Sequence, residues 1–267
     1  MKTVAAGLLP LLLAGVALPG RAEDRRRVSA PSSFYDDADI PSLGWLSITE
    51  DFSYVRVPAG RDFSFPSTSI SFAVNRRVGF SGSIPYARST YEDSRINAIG
   101  DSYAGVKLLL APQRRRRPAV AFKPMIEVLG KASTADNPLA PNRVNYILPV
   151  ILQASSDSFR LYNTSGYVTR GIVFDSAVFE LNRWSRITPI AVVSASRMTR
   201  ELGLISELGL NRSRVDLTAG AAIAIRPHCG VYVNAGRTLG RIDGNSTRYQ
   251  VSGGISFDIR LWGKHEP

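Results

Sequence analysis

Near its C-terminus the chain runs R-Y-Q-V-S-G-G-I-S-F-D-I-R-L-W, from Arg248 to Trp262. Tyr249, Val251, Gly253, Ile255, Phe257, Ile259 and Leu261 share one parity. Gln250, Ser252, Gly254, Ser256, Asp258, Arg260 and Trp262 share the other. Successive side chains of a strand point to opposite faces, so this strand has one apolar face and one mostly polar face. A helix would scatter the same residues around its circumference. The run is about 15 residues long, against a usual strand of roughly 5–6. Tilted strands that cross an outer membrane need about 9–11 residues plus their rims. Its place near the C-terminus suits the closing strand of a barrel. A strand of a water-soluble sandwich is the competing reading of this stretch alone.

The pattern recurs upstream. Ile70, Phe72 and Val74 alternate with polar or small residues, as do Val78, Phe80, Gly82, Ile84 and Tyr86. So do Ala104, Val106, Leu108 and Leu110, then Val120, Phe122, Ile126 and Val128. Val215 to Ile225 and Val231 to Ala235 repeat it, and 143–155, 158–169, 172–182 and 186–198 also read as strands. No helical period persists; the E-L-G-L repeats at 201–204 and 207–210 come nearest, and their glycines weaken both readings. Bacterial barrels have an even number of strands, short periplasmic turns and long outer loops. Counting back from a last strand that descends to the periplasm places the turns at 226–228, 182–185, 156–157, 113–117 and 75–77 inside. It places 238–247, 199–213, 131–142 and 89–99 outside, with Arg170-Gly171 a short outer connection. Eleven strands follow from Thr68, and both termini reach the periplasm only if one more lies within Ile48 to Val57. The expectation is an all-β, closed antiparallel outer-membrane barrel of about 12 strands. Pro85, Pro124, Pro149 and Pro189 fall inside strands, where proline cannot donate to a ladder, so bulges or strand ends must absorb them.

At the other end, Lys2 precedes an apolar run from Val4 to Leu18, with Gly20 and Ala22 in cleavage-site positions. This is the pattern of a secretory signal peptide. Four segments are expected: a signal peptide at 1–22, a flexible periplasmic lead-in at 23–45 rich in Pro, Ser and Asp, a barrel at 46–262 and a tail at 263–267. The formal net charge of +11 could suggest nucleic acid. Its excess sits in Arg25-Arg26-Arg27 and Arg114 to Arg117, a tail and a turn, and a secreted chain argues against that partner. The single cysteine, Cys229, allows no internal disulfide. Mean hydropathy near zero suits alternating strands that average an apolar face with a polar one.

The run Ile84-Pro85-Tyr86, then I-G-D-S-Y-A-G-V-K at Ile99 to Lys107, then A-V-A-F-K-P-M-I-E-V at Ala119 to Val128, resembles a known family. It is similar to the outer-membrane barrels grouped under the meta-pathway of phenol degradation, often described as transporter-like. The resemblance spans roughly Phe72 to Trp262 and includes the closing Gly253-Gly254-Ile255-Ser256-Phe257. It implies a channel or transporter for small compounds, aromatic ones included. The G-D-x-x-x-G-x-K piece is the more specific part.

Enzymatic chemistry has little to stand on. A triad with His, Ser and an acid needs a histidine in the barrel. His228 lies beside Pro227 in a turn and His265 in the tail. No His/Cys metal cluster, phosphate-binding loop or cofactor motif is present. Gly253-Gly254 reads as close packing within a strand, and Asp101 as a rim residue. The polar parity gives the lumen-lining candidates: Asp101, Tyr103, Lys107, Lys123, Glu127, Asp216, Arg226, Tyr232, Asn234, Asp258 and Arg260. Their acids and bases balance, with acids near the mouth and Lys107 and Lys123 forming a basic waist. The expected function is passive uptake or efflux of small, including aromatic or apolar, solutes through the cell outer membrane, without enzymatic activity. The expected partners are outer-membrane lipid and lipopolysaccharide, the barrel-assembly machinery and the solute. A structural or adhesive barrel and a soluble secreted β-protein are the alternatives.

Overall fold

The computed structural model describes residues 36–91, 94–114, 117–131, 143–169, 171–181, 186–198, 213–240 and 246–262. The signal-peptide region, most of 131–142, most of 199–213, the turn at 182–185 and the tail lie outside these. Strand segments are β1 (Trp45–Val57), β2 (Gly60–Asn75), β3 (Val78–Tyr91), β4 (Ser94–Ile99), β5 (Ser102–Ala111), β6 (Ala119–Phe122) and β7 (Met125–Val128). They continue as β8 (Val144–Ser155), β9 (Phe159–Val168), β10 (Ile172–Leu181), β11 (Ile187–Met198), β12 (Ser213–Arg226), β13 (Cys229–Thr238) and β14 (Tyr249–Arg260). Each pairs antiparallel with its neighbours, and β1 pairs with both β2 and β14, which closes the sheet. Both β4 and β5 pair with β3, and both β6 and β7 lie between β5 and β8. Each of these two couples is one interrupted strand. The result is a closed barrel of 12 antiparallel strands.

Closure explains the alternation. A barrel has no free edge, so every strand must present one side to the lumen and one to the surroundings. The outward side is a band of exposed apolar residues that includes Ile70, Ile84, Leu110, Tyr146, Val150, Val193, Ile223, Val233 and Phe257. A soluble sandwich would bury such a band. Two carboxylates share this outward side, each on a hydroxyl donor. Thr68 Oγ1 donates to Glu50 Oε1 at 2.8 Å. Ser165 Oγ and Asn163 Nδ2 donate to Asp175 Oδ1 at 2.6 and 2.7 Å. These bonds offset part of the cost of holding an acid at a lipid-facing position.

The prolines sit where a ladder bond is already missing. Pro124 separates β6 from β7, and its carbonyl accepts Val106 N at 3.1 Å. Pro149 on β8 lies opposite that same break, between the pairs Ile147–Met125 and Val150–Phe122, and its carbonyl accepts Lys123 N at 3.1 Å. Pro85 lies where β3 passes from β5 to β4, next to a register shift with β2. Pro189 lies one residue beyond the last β10–β11 pair.

The chain enters β1 and leaves β14 at the same end, here called the near end; the other is the far end. The far-end region is where the structure departs from expectation. The first strand begins at Trp45, β2 begins at Gly60 after a hairpin at 58–59, and β3 and β4 occupy most of the stretch expected as a loop at 89–99. Outward positions there are Arg56, Arg61, Arg88 and Arg95, so the apolar half of the alternation disappears although the pairing continues.

Candidate functional site: the barrel lumen

The lumen is shaped first by a segment that is not part of the wall. Asp36 to Gly44 precedes β1, and its described residues lie against the inner face of β3, β5, β6, β8 and β9. Asp36 N donates to Thr164 Oγ1 at 3.1 Å, and Thr164 Oγ1 donates to the Asp36 carbonyl at 3.0 Å. Ala38 N donates to Gln153 Oε1 at 2.7 Å. Ala38 is buried with Ala119, Ala121 and Ile151. Chain direction then reverses at Gly44, whose φ of +82° is a left-handed value open to glycine. The Gly44 carbonyl accepts Leu261 N at 2.8 Å, so the end of the segment is tied to the end of β14.

Charge holds the segment in place. Lys107 Nζ lies 2.9 Å from Asp36 Oδ1 and 3.3 Å from Asp37 Oδ1, and it donates to the Asp39 carbonyl at 3.1 Å. Lys123 Nζ lies 2.6 Å from Asp36 Oδ2. Arg160 Nη1 lies 2.9 Å from both Asp37 Oδ2 and Asp39 Oδ2. The other side of that guanidinium takes Glu180 in a fork, Nε to Oε2 at 2.8 Å and Nη2 to Oε1 at 3.0 Å. The Arg160 and Glu180 side chains are 1% and 2% exposed, so removing either partner would strand a buried charge. Burial alone would raise the Asp36 carboxyl, but the ammonium groups of Lys107 and Lys123 outweigh it and hold that carboxyl well below the usual carboxylate range.

The opposite inner wall has a different character. Tyr162, Val178, Ile190, Val192, Ala222 and Tyr232, on β9 to β13, form one buried apolar cluster. Several polar groups at its edge pair with one another or with β1. Tyr232 donates its phenol hydrogen to Asp51 across β14. Gln250 Nε2 donates to Thr218 Oγ1 at 2.8 Å, and Thr238 Oγ1 donates to Asp216 Oδ1 at 2.6 Å. A Cβ on Gly254 would lie 2.9 Å from Tyr232 Cε1, and one on Gly253 would lie 2.9 Å from Phe52 Cε1 on the outer side. The glycine pair therefore serves close packing on both faces.

The eleven lumen candidates divide into groups. Lys107 and Lys123 bind the N-terminal segment, so the basic waist is neutralised by Asp36 and Asp37 rather than open. Glu127 is fully buried and accepts from Tyr103 Oη and Asn145 Nδ2, both at 2.8 Å. Asp101 lies at the β4–β5 break, where Oδ1 accepts Gly130 N at 2.9 Å. Asp216, Tyr232 and Asn234 belong to the β12–β13 wall. Arg226 is exposed at the near rim, opposite Cys229 and past a register shift, apart from the others. Asp258 and Arg260 are also near-rim residues. Asp258 N donates to the His228 carbonyl at 3.0 Å, and the Arg260 guanidinium lies 6.0 Å from the Trp45 ring, which stacks on His228 at 4.4 Å.

Asp36, Asp37, Asp39, Gln153, Arg160 and Glu180 were missed in the sequence. Two signals could have found them. Arg160 and Glu180 share the inward parity of apolar strands, and D-D-A-D at 36–39 is an acid cluster with three inward cations to meet. The G-D-x-x-x-G-x-K residues also gain a mechanical meaning. Gly100 N donates to the Pro85 carbonyl at 2.8 Å, Gly105 packs under Met125, and Lys107 holds Asp36. Among the described residues no group of His, Cys, Asp and Glu could hold a metal.

No protein-family model matches the chain, and no curated protein matches it in sequence. Solved structures do match. The COG4313 outer membrane channel from Pseudomonas putida F1 superposes with a TM-score of 0.65 at 8% identity, covering 87% of this chain and 100% of that one. The KdgM porin in complex with disordered oligogalacturonate superposes with a TM-score of 0.53 at 9% identity, covering 80% of this chain and 98% of that one. At these identities the likeness concerns the fold: this chain has the architecture of an outer-membrane β-barrel.

Proposed function

We propose that the protein is an outer-membrane channel for small solutes, aromatic or apolar ones included, whose lumen is gated at the near end by the segment Asp36 to Gly44. One observation carries this reading: a neutralised, ion-paired segment lies along one side of the lumen while the opposite wall is an apolar surface. An open polar pore would keep its charges facing water. Here the charged wall is spent on the segment, and the opposite wall is packed from the buried residues Val178, Ile190, Val192 and Tyr232, which a solute would meet only as the docked segment moves aside. Apolar walls with a few placed polar groups suit apolar and aromatic ligands.

In this reading residues 1–22 are a cleaved signal peptide and the near end, with both termini, faces the periplasm. The long loops then face outward, where lipopolysaccharide forms the outer leaflet, and insertion falls to the barrel-assembly machinery. The resemblance at Ile84 to Lys107 and Ala119 to Val128 supports placing the chain beside the meta-pathway phenol-degradation barrels. The activity is transport, without a catalytic constellation. The test is a liposome-swelling series with sugars, amino acids and phenolics, run on wild type and on a chain lacking residues 36–41. The expected order is phenolics fastest in wild type, with sugars gaining most in the deletion. Equal, slow swelling for all solutes in both proteins would remove the channel reading.

A further inference from the structure

Outward-facing side chains at the far end of β1 to β4 do not continue the apolar band. Arg56 on β1 is the register partner of Arg61 on β2, Arg61 of Thr90 on β3, and Thr90 of Arg95 on β4. Register partners share a face, so three arginines and a threonine form one row. Arg88, two residues from Thr90 on the same face, is the partner of Phe63 and Asn97. The opposite face of these strands turns inward, where Ala87 and Ser89 are buried and Tyr91 Oη donates to Asp62 Oδ2 at 2.6 Å.

Two physical facts make the row informative. Like charges directly opposite each other in a sheet are destabilising. Strands lie about 4.8 Å apart, so Arg56 and Arg61 stand side by side and the row from β1 to β4 spans only about 14 Å. Yet the ion pairs among the described residues use Lys107, Lys123, Arg160 and Arg214, and none of these four. The height of the row is the second fact. Tyr249, the register partner of Arg56, is level with the row; Tyr54 and Phe63 lie on the same outward face one step below it and Tyr86 two steps below, and the Tyr54 and Tyr249 rings stack at 5.9 Å. Aromatic girdles mark the membrane–water interface of outer-membrane barrels. At the near end the stacked pair Phe72–Phe80 occupies the corresponding level. From Leu46, the partner of Phe72, to Tyr54 is eight residues of β1, about 27 Å along the strand and, at a tilt of about 40°, roughly 20 Å of height, close to an apolar band about 25 Å tall. The arginines therefore stand at headgroup height.

We propose that Arg56, Arg61, Arg88 and Arg95 form a binding site for the phosphate groups of lipid A, the anchor of lipopolysaccharide. The guanidinium fork matches phosphate in a bidentate way, and an anion at this place relieves the repulsion of the row. Thr90 and Asn97 add neutral hydrogen-bonding groups between the arginines. The tyrosine ledge beneath supports the sugar-to-acyl boundary of the same molecule. This site rests on the reading that the far end faces the outside.

The test uses full-length protein refolded in detergent, with binding followed by native mass spectrometry. The probes are phosphorylated lipid A, dephosphorylated lipid A and inorganic phosphate. The variants are Arg56→Gln/Arg61→Gln, Arg61→Gln/Arg95→Gln and the fourfold Gln variant. Arg76→Gln/Arg77→Gln, at the near end, is the charge control. Heat-modifiable migration reports folding, and the pairwise variants carry the test if the fourfold one does not fold. The expected result is that phosphorylated lipid A binds wild type and the control alike, and binds the fourfold variant about tenfold or more weakly. Dephosphorylated lipid A should bind all proteins weakly, and inorganic phosphate should not displace lipid A. Equal retention by wild type and variants, or equal binding of dephosphorylated lipid A, would overturn the site. Orientation is read separately from Ala59→Cys in a Cys229→Ala background. Labelling by an impermeant maleimide on intact cells places the 58–59 hairpin outside; labelling only after permeabilisation overturns the topology and the lipid A assignment with it.

Discussion

The two inner walls of this barrel are built from the same alternating strands and do opposite things. On β5, β8 and β9 and at the β6–β7 break the inward positions include Lys107, Lys123, Gln153, Arg160 and Thr164, and each of these binds the N-terminal segment. On β10 to β13 the inward positions include Val178, Ile190, Val192, Ala222 and Tyr232, which pack with one another. A charged wall in a lumen is commonly read as a selectivity surface for passing ions. Here its charges are answered from within the chain, while the other wall packs its apolar side chains against one another. Polarity of a lumen position therefore does not by itself tell whether that position meets solute.

The largest expected effect falls where the two walls meet. Arg160→Ala leaves Glu180 and Asp37 without their shared cation, and breaking a buried pair this way costs about 3–5 kcal/mol. Urea unfolding in liposomes should show that loss, whereas Arg186→Ala at an exposed near-end position should not. Comparable midpoints for the two variants would mean that the cluster adds nothing to stability.

Next in size is the release of the segment. Lys107→Glu/Lys123→Glu places two carboxylates against Asp36, and a loss of only about 1.4 kcal/mol already shifts the released fraction tenfold. Planar-bilayer recordings should show higher conductance and a reversal potential moved toward cations. Adding Asp36→Lys should restore the low conductance, as coupling between direct partners requires. Failure of the third change to restore it would mean that Asp36 is not the partner that matters.

Acid should have less effect than a casual view of four acids in a lumen suggests. The Asp36 carboxyl is depressed when the segment is docked, so its contribution to docking is complete above the ordinary value of 3.8 and is lost only as pH falls below that. Conductance should therefore stay level from about pH 7 to 5 as far as Asp36 decides it. An Asp36→Asn protein, with no charge to protonate, should start from the higher conductance instead. A wild-type opening near pH 6 that Asp36→Asn abolishes would contradict the sign of this shift.

The smallest change tests the apolar wall alone. Val192→Ser replaces a buried methyl surface by a hydroxyl, a change of about 1–3 kcal/mol for a group left without a partner. Ion conductance should hold while phenolic flux falls by a few-fold at most. A proportional fall in both would mean that the whole lumen narrowed rather than that its affinity changed.

Strand alternation was legible because a two-residue period survives any register, and closure with 12 strands followed from parity of the turns. Boundaries at 58–59 and 92–93 were not, because outside the lipid band the outward residues become Arg56, Arg61, Arg88 and Arg95 and the hydrophobic signal stops before the pairing does. The inward parity of Lys107, Lys123 and Glu127 could likewise be read one strand at a time. Their partners could not. Asp36 lies 71 residues from Lys107, and Asp37 lies 123 from Arg160. Contacts at such separations have no period in the chain; they exist only because closing the sheet brings five strands around one short segment. The sequence alone determined that side chains alternate between two faces along each strand. Only the tertiary structure decided which of them meet one another, because the lumen is a space made by closure and belongs to no single strand.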